Sequence, residues 1–243
     1  MTTSTVDRVR AAVRDNARWC AVMSQVHGVR GEFGPDAWTA SRRTPLYYPD
    51  AVTLVPRVDA ASLVARIDTR APGATVKDAF ADLDLTEHGF TVLFDAQWIH
   101  RDADAPVPAH GLGWDVVKDP DALREWAAAW SGGDDDAADL FGAALLDVPE
   151  VTVLAVRDAG GRVVAGAVAT SGEDVVGVSN VFAVSTAFAA HDGQDRVWSA
   201  VLDATRTLFP GRSLVGYEHD DALTAALRYG FEAVGPLRVW LHA

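Results

Sequence analysis

The order of elements in residues 151–243 constrains this chain more than any other feature. The pattern reads strand, strand, strand, helix, strand, helix, strand. It closes on Tyr229-Gly230-Phe231-Glu232 and then Val239-Trp240-Leu241. The apolar runs Val151–Val156, Arg162–Thr170 and Val175–Val184 are separated by Asp158-Ala159-Gly160-Gly161 and Ser171-Gly172-Glu173-Asp174, which are turn signals of an antiparallel meander. The next strand, Ser213–Tyr217, follows an amphipathic helix, Gln194–Phe209, that Pro210-Gly211 stops. That is a βαβ-type crossover. A sheet built this way is expected to splay where the two connection types meet, and to leave backbone groups free for an extended ligand. A helix over Asp220–Tyr229 and a segment over Phe231–Leu241, one long strand or two broken near Gly235-Pro236, complete the order.

Upstream, Val6–Val26 has helical spacing, with Val9, Val13, Ala17, Cys20 and Val22 near one face. Gly28–Thr44 is turn-rich and holds Trp38. Ala51–Val55 reads as a strand, and Asp59–Ile67 and Lys77–Leu85 read as helices. The strand Thr91–Ile99 puts Val92, Phe94, Ala96 and Trp98 on one side. Arg101–Gly113 carries Asp, Pro and Gly and reads as a linker. It divides an N-terminal α/β half, residues 1–105, from a C-terminal domain, residues 114–243. Helices over Asp119–Trp130 and Ala137–Leu146 flank Ser131-Gly132-Gly133-Asp134-Asp135-Asp136. Carboxylates in direct succession point in different directions and lack the alternation of a calcium loop, so no metal site is expected there. One echo links the halves: His88-Gly89-Phe90 precedes Trp98-Ile99-His100, and Tyr229-Gly230-Phe231 precedes Trp240-Leu241-His242. In both, Gly takes a left-handed cap and Phe anchors a strand's entry into the core.

Charge narrows the partners. Among 243 residues, 34 are acidic and 21 basic, a formal charge of -13. Arg42-Arg43 is the only adjacent basic pair. Nucleic acids and anionic membranes need a dense cationic surface, so neither is an expected partner. Cys20 is the one cysteine, which excludes an internal disulfide and suits a reducing compartment. It reads as a small buried hydrophobe beside Trp19. No apolar run approaches the ~20 residues that span a bilayer, and the N-terminus lacks the order of a signal peptide. The cysteine usage suits the cytoplasm, and the Arg, Ala, Val and Asp usage suggests a high-GC bacterium. His27, His88, His100 and His110 show no metal-ligand spacing.

From about Asp119 onward the chain resembles the GNAT superfamily of N-acetyltransferases. The closest local match is Ala225-Ala226-Leu227-Arg228-Tyr229-Gly230-Phe231-Glu232-Ala233-Val234-Gly235. The resemblance implies an α+β fold, a mixed, mostly antiparallel splayed sheet flanked by helices, with the N-terminal half a partial, diverged copy. It implies acetyl-CoA or another acyl-CoA as the donor. Val181, Phe182, Ala183 and Val184 would offer backbone groups to the pantetheine arm, and Ser179 and Asn180 would face the substrate. The pyrophosphate would rest on the helix N-terminus near Gly193, Gln194 and Arg196. The family expects Gln or Arg, two residues, then Gly-x-Gly or Gly-x-Ala opening that helix. In His191-Asp192-Gly193-Gln194-Asp195-Arg196-Val197-Trp198-Ser199-Ala200 the two Gly positions fall on Arg196 and Trp198, and Asp192 and Asp195 would repel phosphate. The phosphate loop therefore reads as degenerate.

An amine must lose a proton before it attacks a thioester. Glu218 or His219 is the candidate base, with Tyr217 beside them; the other reading of the pair is a cap on the helix that follows. The family's Tyr acid is vacant, because Ala226 holds its position. The resemblance implies an acyl-CoA-dependent acyltransferase that acetylates a small-molecule amine. The alternative is a catalytically altered protein that binds a small molecule or a partner. A third reading, an aminoacyl-tRNA-dependent transferase, conflicts with the acidic balance. An exposed sheet edge would let two copies pair as a homodimer.

Overall fold

The structure is a computed structural model that describes residues 4–109, 111–184 and 192–243, without the side chains of residues 192–195. The described chain forms two compact units, Met1–Trp98 with Val234–Ala243, and Ile99–Ala233.

The first unit opens with helix α1, Thr5–Val26. Ser4 caps it by accepting the Asp7 N–H at 3.2 Å. Val13, Ala17 and Cys20 are buried as their spacing predicts, and Trp19 and Met23 widen the buried stripe. Burial pushes the Cys20 thiol above its ordinary range, as expected of an inert core cysteine. Strands β1 (Gly31–Phe33) and β2 (Ala37–Ala40) form a hairpin in the stretch that reads as turn-rich. The short strands lack a visible period, and Trp38 decides the pairing: its indole lies where a Cβ on Gly31 would stand, 2.5 Å away. Strand β3 (Ala51–Thr53) and the short helix α2 (Ala60–Val64, capped by Asp59) follow as expected.

Lys77–Leu85 is a strand and a turn, and the expected helix does not form there. Strand β4, Thr75–Asp78, pairs in parallel with β3. The buried Asp78 carboxylate then accepts N–H groups from Phe80 and Leu83, at 3.3 and 2.9 Å. Those side-chain bonds replace helical ones and bend the chain. The buried Lys77 ammonium donates to Asn16 Oδ1 at 2.7 Å, a tertiary bond that a helix period cannot reveal. Strand β5, Phe90–Arg101, leaves Val92 exposed although Ala96 and Trp98 on the same side are buried. Its residues up to Trp98 belong to the first unit and Ile99–Arg101 to the second.

In the second unit, β6 (Gly113–Val116) emerges at the end of the expected linker. Helix α3, Pro120–Ser131, is capped by Asp119 and ends at Gly132 with φ 65°. The expected helix 137–146 is split. Helix α4 covers only Asp135–Ala138 under an Asp134 cap, and a 3₁₀ turn covers Ala143–Asp147. Gly142 between them is extended, and the Phe141 ring packs edge-on to Trp126 and Trp130, each at 4.9 Å. Strands β7 (Val151–Arg157), β8 (Val163–Ser171) and β9 (Val175–Ala183) form the meander. Helix α5 (Asp192–Leu208), strand β10 (Ser213–Glu218) and helix α6 (Asp220–Arg228) follow. Strand β11, Glu232–His242, runs unbroken through Gly235-Pro236. Gly235 is needed there because a Cβ would lie 2.9 Å from Val9 Cγ2.

Strand order in the first unit is β1-β2-β3-β4-β11-β5, and in the second the end of β5 is followed by β10-β9-β8-β7-β6. Pairing is mixed and mostly antiparallel, with β3–β4 and β9–β10 parallel. The first core gathers Leu63, Val76, Leu85, Phe90 and Trp240; the second gathers Leu154, Val176, Trp198, Leu202, Leu214 and Phe231. Both echo glycines, Gly89 and Gly230, have φ 82°, the left-handed cap their sequence context requires. Among the described residues no helix is long and apolar enough to cross a membrane.

Candidate functional site

The site begins with a strand that cannot stay regular. Strand β9 is buried from Val175 to Val178 and half-buried from Ser179 onward. Its register with β8 shifts between Gly166↔Phe182 and Val168↔Ser179, so Asn180 and Val181 together oppose Ala167. This is a β-bulge, and Asn180 carries its positive φ of 52°. Asn tolerates that region because its short polar side chain bonds locally; here Nδ2 donates to Ser179 Oγ at 3.1 Å. On β8, Gly166 admits three neighbours. A Cβ there would lie 2.2 Å from Trp126 Nε1, 2.6 Å from Leu154 O and 2.8 Å from the Phe182 ring. Trp126 is held by its own Nε1–H, which donates to Leu154 O at 2.8 Å.

The other edge of β9 opens. Its parallel pairing with β10 runs Ser213↔Val175, Leu214↔Val176 and Val215↔Gly177, and stops there. Gly216 is the last close approach: a Cβ would lie 2.7 Å from Val178 O. Beyond it, among the described residues, the ladder with β10 does not extend to Ser179–Ala183. The widening gap holds a recess of about 250 Å³, part of it open to solvent, lined by Val181, Phe182, Val197, Trp198, Glu218 and Ala222. The splay expected where the meander meets the crossover is therefore present.

Of the expected catalytic triplet, only Glu218 lines this recess. Burial pushes its carboxyl up to about 7, and the charge of His219 offsets part of that shift. The carboxylate has no hydrogen bond among the described residues. His219 is exposed and is the N-cap residue of α6, but its side chain makes no cap bond; Nδ1 lies 2.8 Å from Asp220 Oδ2. Tyr217 is half-buried and alternates to the opposite side of β10.

The expected ligand-binding positions divide likewise. Val181 and Phe182 line the recess, whereas the Val184 N–H already donates to Val164 O at 2.8 Å. Ser179, Asn180 and Ala183 are half-buried on the open part of β9. Gly193 and Gln194 fall in the first turn of α5, but their side chains, and residues 185–191 before them, lie outside the described residues, as does His110. Because α5 starts at Asp192, Arg196 and Trp198 sit beyond that turn. Arg196 is exposed. Trp198 is buried, its ring 5.0 Å from that of Phe231, so its indole is a wall of the recess. Sequence reasoning missed Val197 and Ala222 as walls; their helical stripe facing the splay was the available signal.

With this geometry in view, comparison with solved structures is informative. A GCN5-related N-acetyltransferase from Kribbella flavida superposes with a TM-score of 0.65 at 18% identity, over 96% of this chain and 95% of that one. A structure described as an acetyltransferase of the GNAT family from Novosphingobium aromaticivorans gives 0.58 at 14% identity, over 95% and 99%. A conserved protein of unknown function from Staphylococcus epidermidis gives 0.65 at 10% identity, over 87% and 92%. The chain thus has the GNAT acetyltransferase fold, and the likeness extends along nearly all of it. No family model matches the sequence, and no curated protein matches it.

Proposed function

We propose that this protein is an acyl-CoA-dependent acyltransferase that acetylates a small-molecule amine in the β9–β10 gap. The observation that carries the reading is the end of parallel pairing at Val215↔Gly177 beside a half-buried carboxylate with a raised pKa. The open edge of β9 suits a slender amide-bearing chain such as a pantetheine arm, because its backbone groups there lack a strand partner. The first turn of α5 would take the diphosphate, since the leading N–H groups of a helix have no acceptor of their own. Two of the solved structures with this fold are described as acetyltransferases, which supports the same chemistry here.

Glu218 is the proposed general base. An amine bound as ammonium must shed a proton before it can attack an acyl carbon. A carboxylate that titrates at about 7 is ionised in part at neutral pH and basic enough to accept that proton, directly or through one water. The formal charge of -13 favours the approach of a cationic acceptor. Acetyl-CoA tests the reading. At ~100 times its dissociation constant it should stabilise the fold by about 2.7 kcal/mol, visible as a rise in Tm. No rise with several acyl-CoAs at millimolar concentration would instead favour a small-molecule or partner-binding module.

A further inference from the structure

The second unit holds another recess, toward the C-terminal end of α5, whereas Val197 and Trp198 of the splay lie toward the N-terminal end. It is a shallow recess with about 280 Å³ of empty space, open solvent included, and its lining includes Arg101, Asp102, Thr205, Arg206, Phe209 and Arg212. Three guanidinium groups thus meet one lining carboxylate in a chain whose overall charge is strongly negative.

Arg101 is the unusual member. It ends β5 and is only 4% exposed. Its Nε donates to Tyr229 O at 2.8 Å and its Nη2 to Pro106 O at 2.7 Å. Among the described residues no carboxylate forms an ion pair with it. Burying a cation with only carbonyl partners is costly, and a counter-ion relieves that cost. Burial, and then the like charge of Arg206, both push the Arg101 pKa below its ordinary range. Arg206 is exposed and, among the described residues, donates only to Asp203 Oδ1 at 3.3 Å, while the other oxygen of Asp203 accepts from Trp114 Nε1 at 2.9 Å. Arg212 donates to Gly172 O from one nitrogen. Asp102 lies 3.7 Å from His100 Nδ1.

We infer that the recess framed by Arg101, Arg206 and Arg212 is an anion site that takes a phosphate group. Planar guanidinium forks match the geometry of a tetrahedral oxyanion, and three of them suit a dianion better than a monoanion. The site does not depend on the transferase reading.

Isothermal titration calorimetry tests it, with inorganic phosphate as the probe and ionic strength held constant with sodium chloride. Wild-type protein should give a saturable isotherm. Arg206→Gln and Arg212→Gln should each weaken it by at least tenfold, as expected for loss of a charge-assisted hydrogen bond. The double variant should abolish it and keep its thermal response to acetyl-CoA. A parallel titration with glycerol 3-phosphate separates the sources: tighter binding than inorganic phosphate indicates a phosphate monoester, weaker binding the free ion. No saturable heat up to 20 mM phosphate (roughly the weakest affinity that would matter) overturns the inference. So does an isotherm that survives the double variant, which would place the ion elsewhere, or acetate binding as tightly as phosphate.

Discussion

The two edges of β9 behave in opposite ways. Toward β8 the antiparallel pairing continues from Ser171↔Val176 to Ala165↔Ala183, and absorbs the bulge at Asn180 without ending. Toward β10 the parallel pairing lasts three residue pairs and ends. The bulge turns the second half of β9, and only one neighbour follows the turn. The β7–β8 hairpin carries β8 along, and Trp126 locks β8 and β9 together through Phe182 at 5.2 Å. Strand β10 arrives through α5, outside that hairpin. A gap therefore forms where the parallel pairing ends, and β10 delivers Glu218 into it.

The largest expected effect breaks the open edge chemically. Glu218→Gln should lower kcat for acetyl transfer by about 10²- to 10³-fold while the Tm rise with acetyl-CoA is retained. Turnover within threefold of wild type would remove Glu218 from the reaction. Packing gives the next effect. Gly166→Ala, on the closed edge, pushes a Cβ against an indole, a backbone oxygen and a phenyl ring, and should cost about 1–3 kcal/mol in urea unfolding. Gly216→Ala, on the opening edge, meets a single backbone oxygen and should cost less. The reverse order would show that the β9–β10 side is the stiffer one.

Asn180 allows a finer test. Asn180→Val places a β-branched residue at positive φ and should be less stable than Asn180→Gly by about 1–2 kcal/mol. Equal stability of the two would mean that the bulge relaxes when Asn is lost. The smallest effect is a pH dependence. Glu218 moves from an ordinary 4.5 to about 7, so between those values the folded protein binds more protons than the unfolded chain. Stability from this group is full below about 4.5 and lost as pH rises through about 7. Partial exposure of the carboxylate reduces the difference to on the order of 1 kcal/mol. Thermal unfolding of wild type and Glu218→Gln from pH 4.5 to pH 8 should show the variant gaining relative stability as pH rises (the window follows from the two values). Parallel curves would contradict the raised pKa.

Most elements of the second unit were legible because their signals are local. Asp158-Ala159-Gly160-Gly161 marks a turn by itself, and Asp119 and Gly132 mark the ends of α3. The first unit was read less well. Helical spacing suggested a helix at Lys77–Leu85, but Asn16, far away in sequence, pairs with Lys77 and the Asp78 carboxylate bends the chain. The helix expected at 137–146 breaks at the extended Gly142, where Phe141 packs edge-on to two tryptophans of α3 that its own segment does not reveal. At the site, the family resemblance implies Val181 and Phe182, and Glu218 follows from its place at the end of a strand. Tyr217 and His219 were grouped with Glu218 by adjacency, and strand alternation and the start of α6 separate them from it.

By itself the sequence determined the element order of residues 151–243, the turns that make a meander, the crossover after β9 and the polar pair Ser179-Asn180 inside an apolar strand. Each of these is set within a few residues by period, capping or backbone preference. Only the tertiary structure decided that β10 leaves β9 after Val215, that Trp198 is a wall of the gap, and that Glu218 is dry enough to hold a proton near neutrality. Desolvation and strand separation depend on what stands opposite, and residues distant in sequence meet only once the chain has folded.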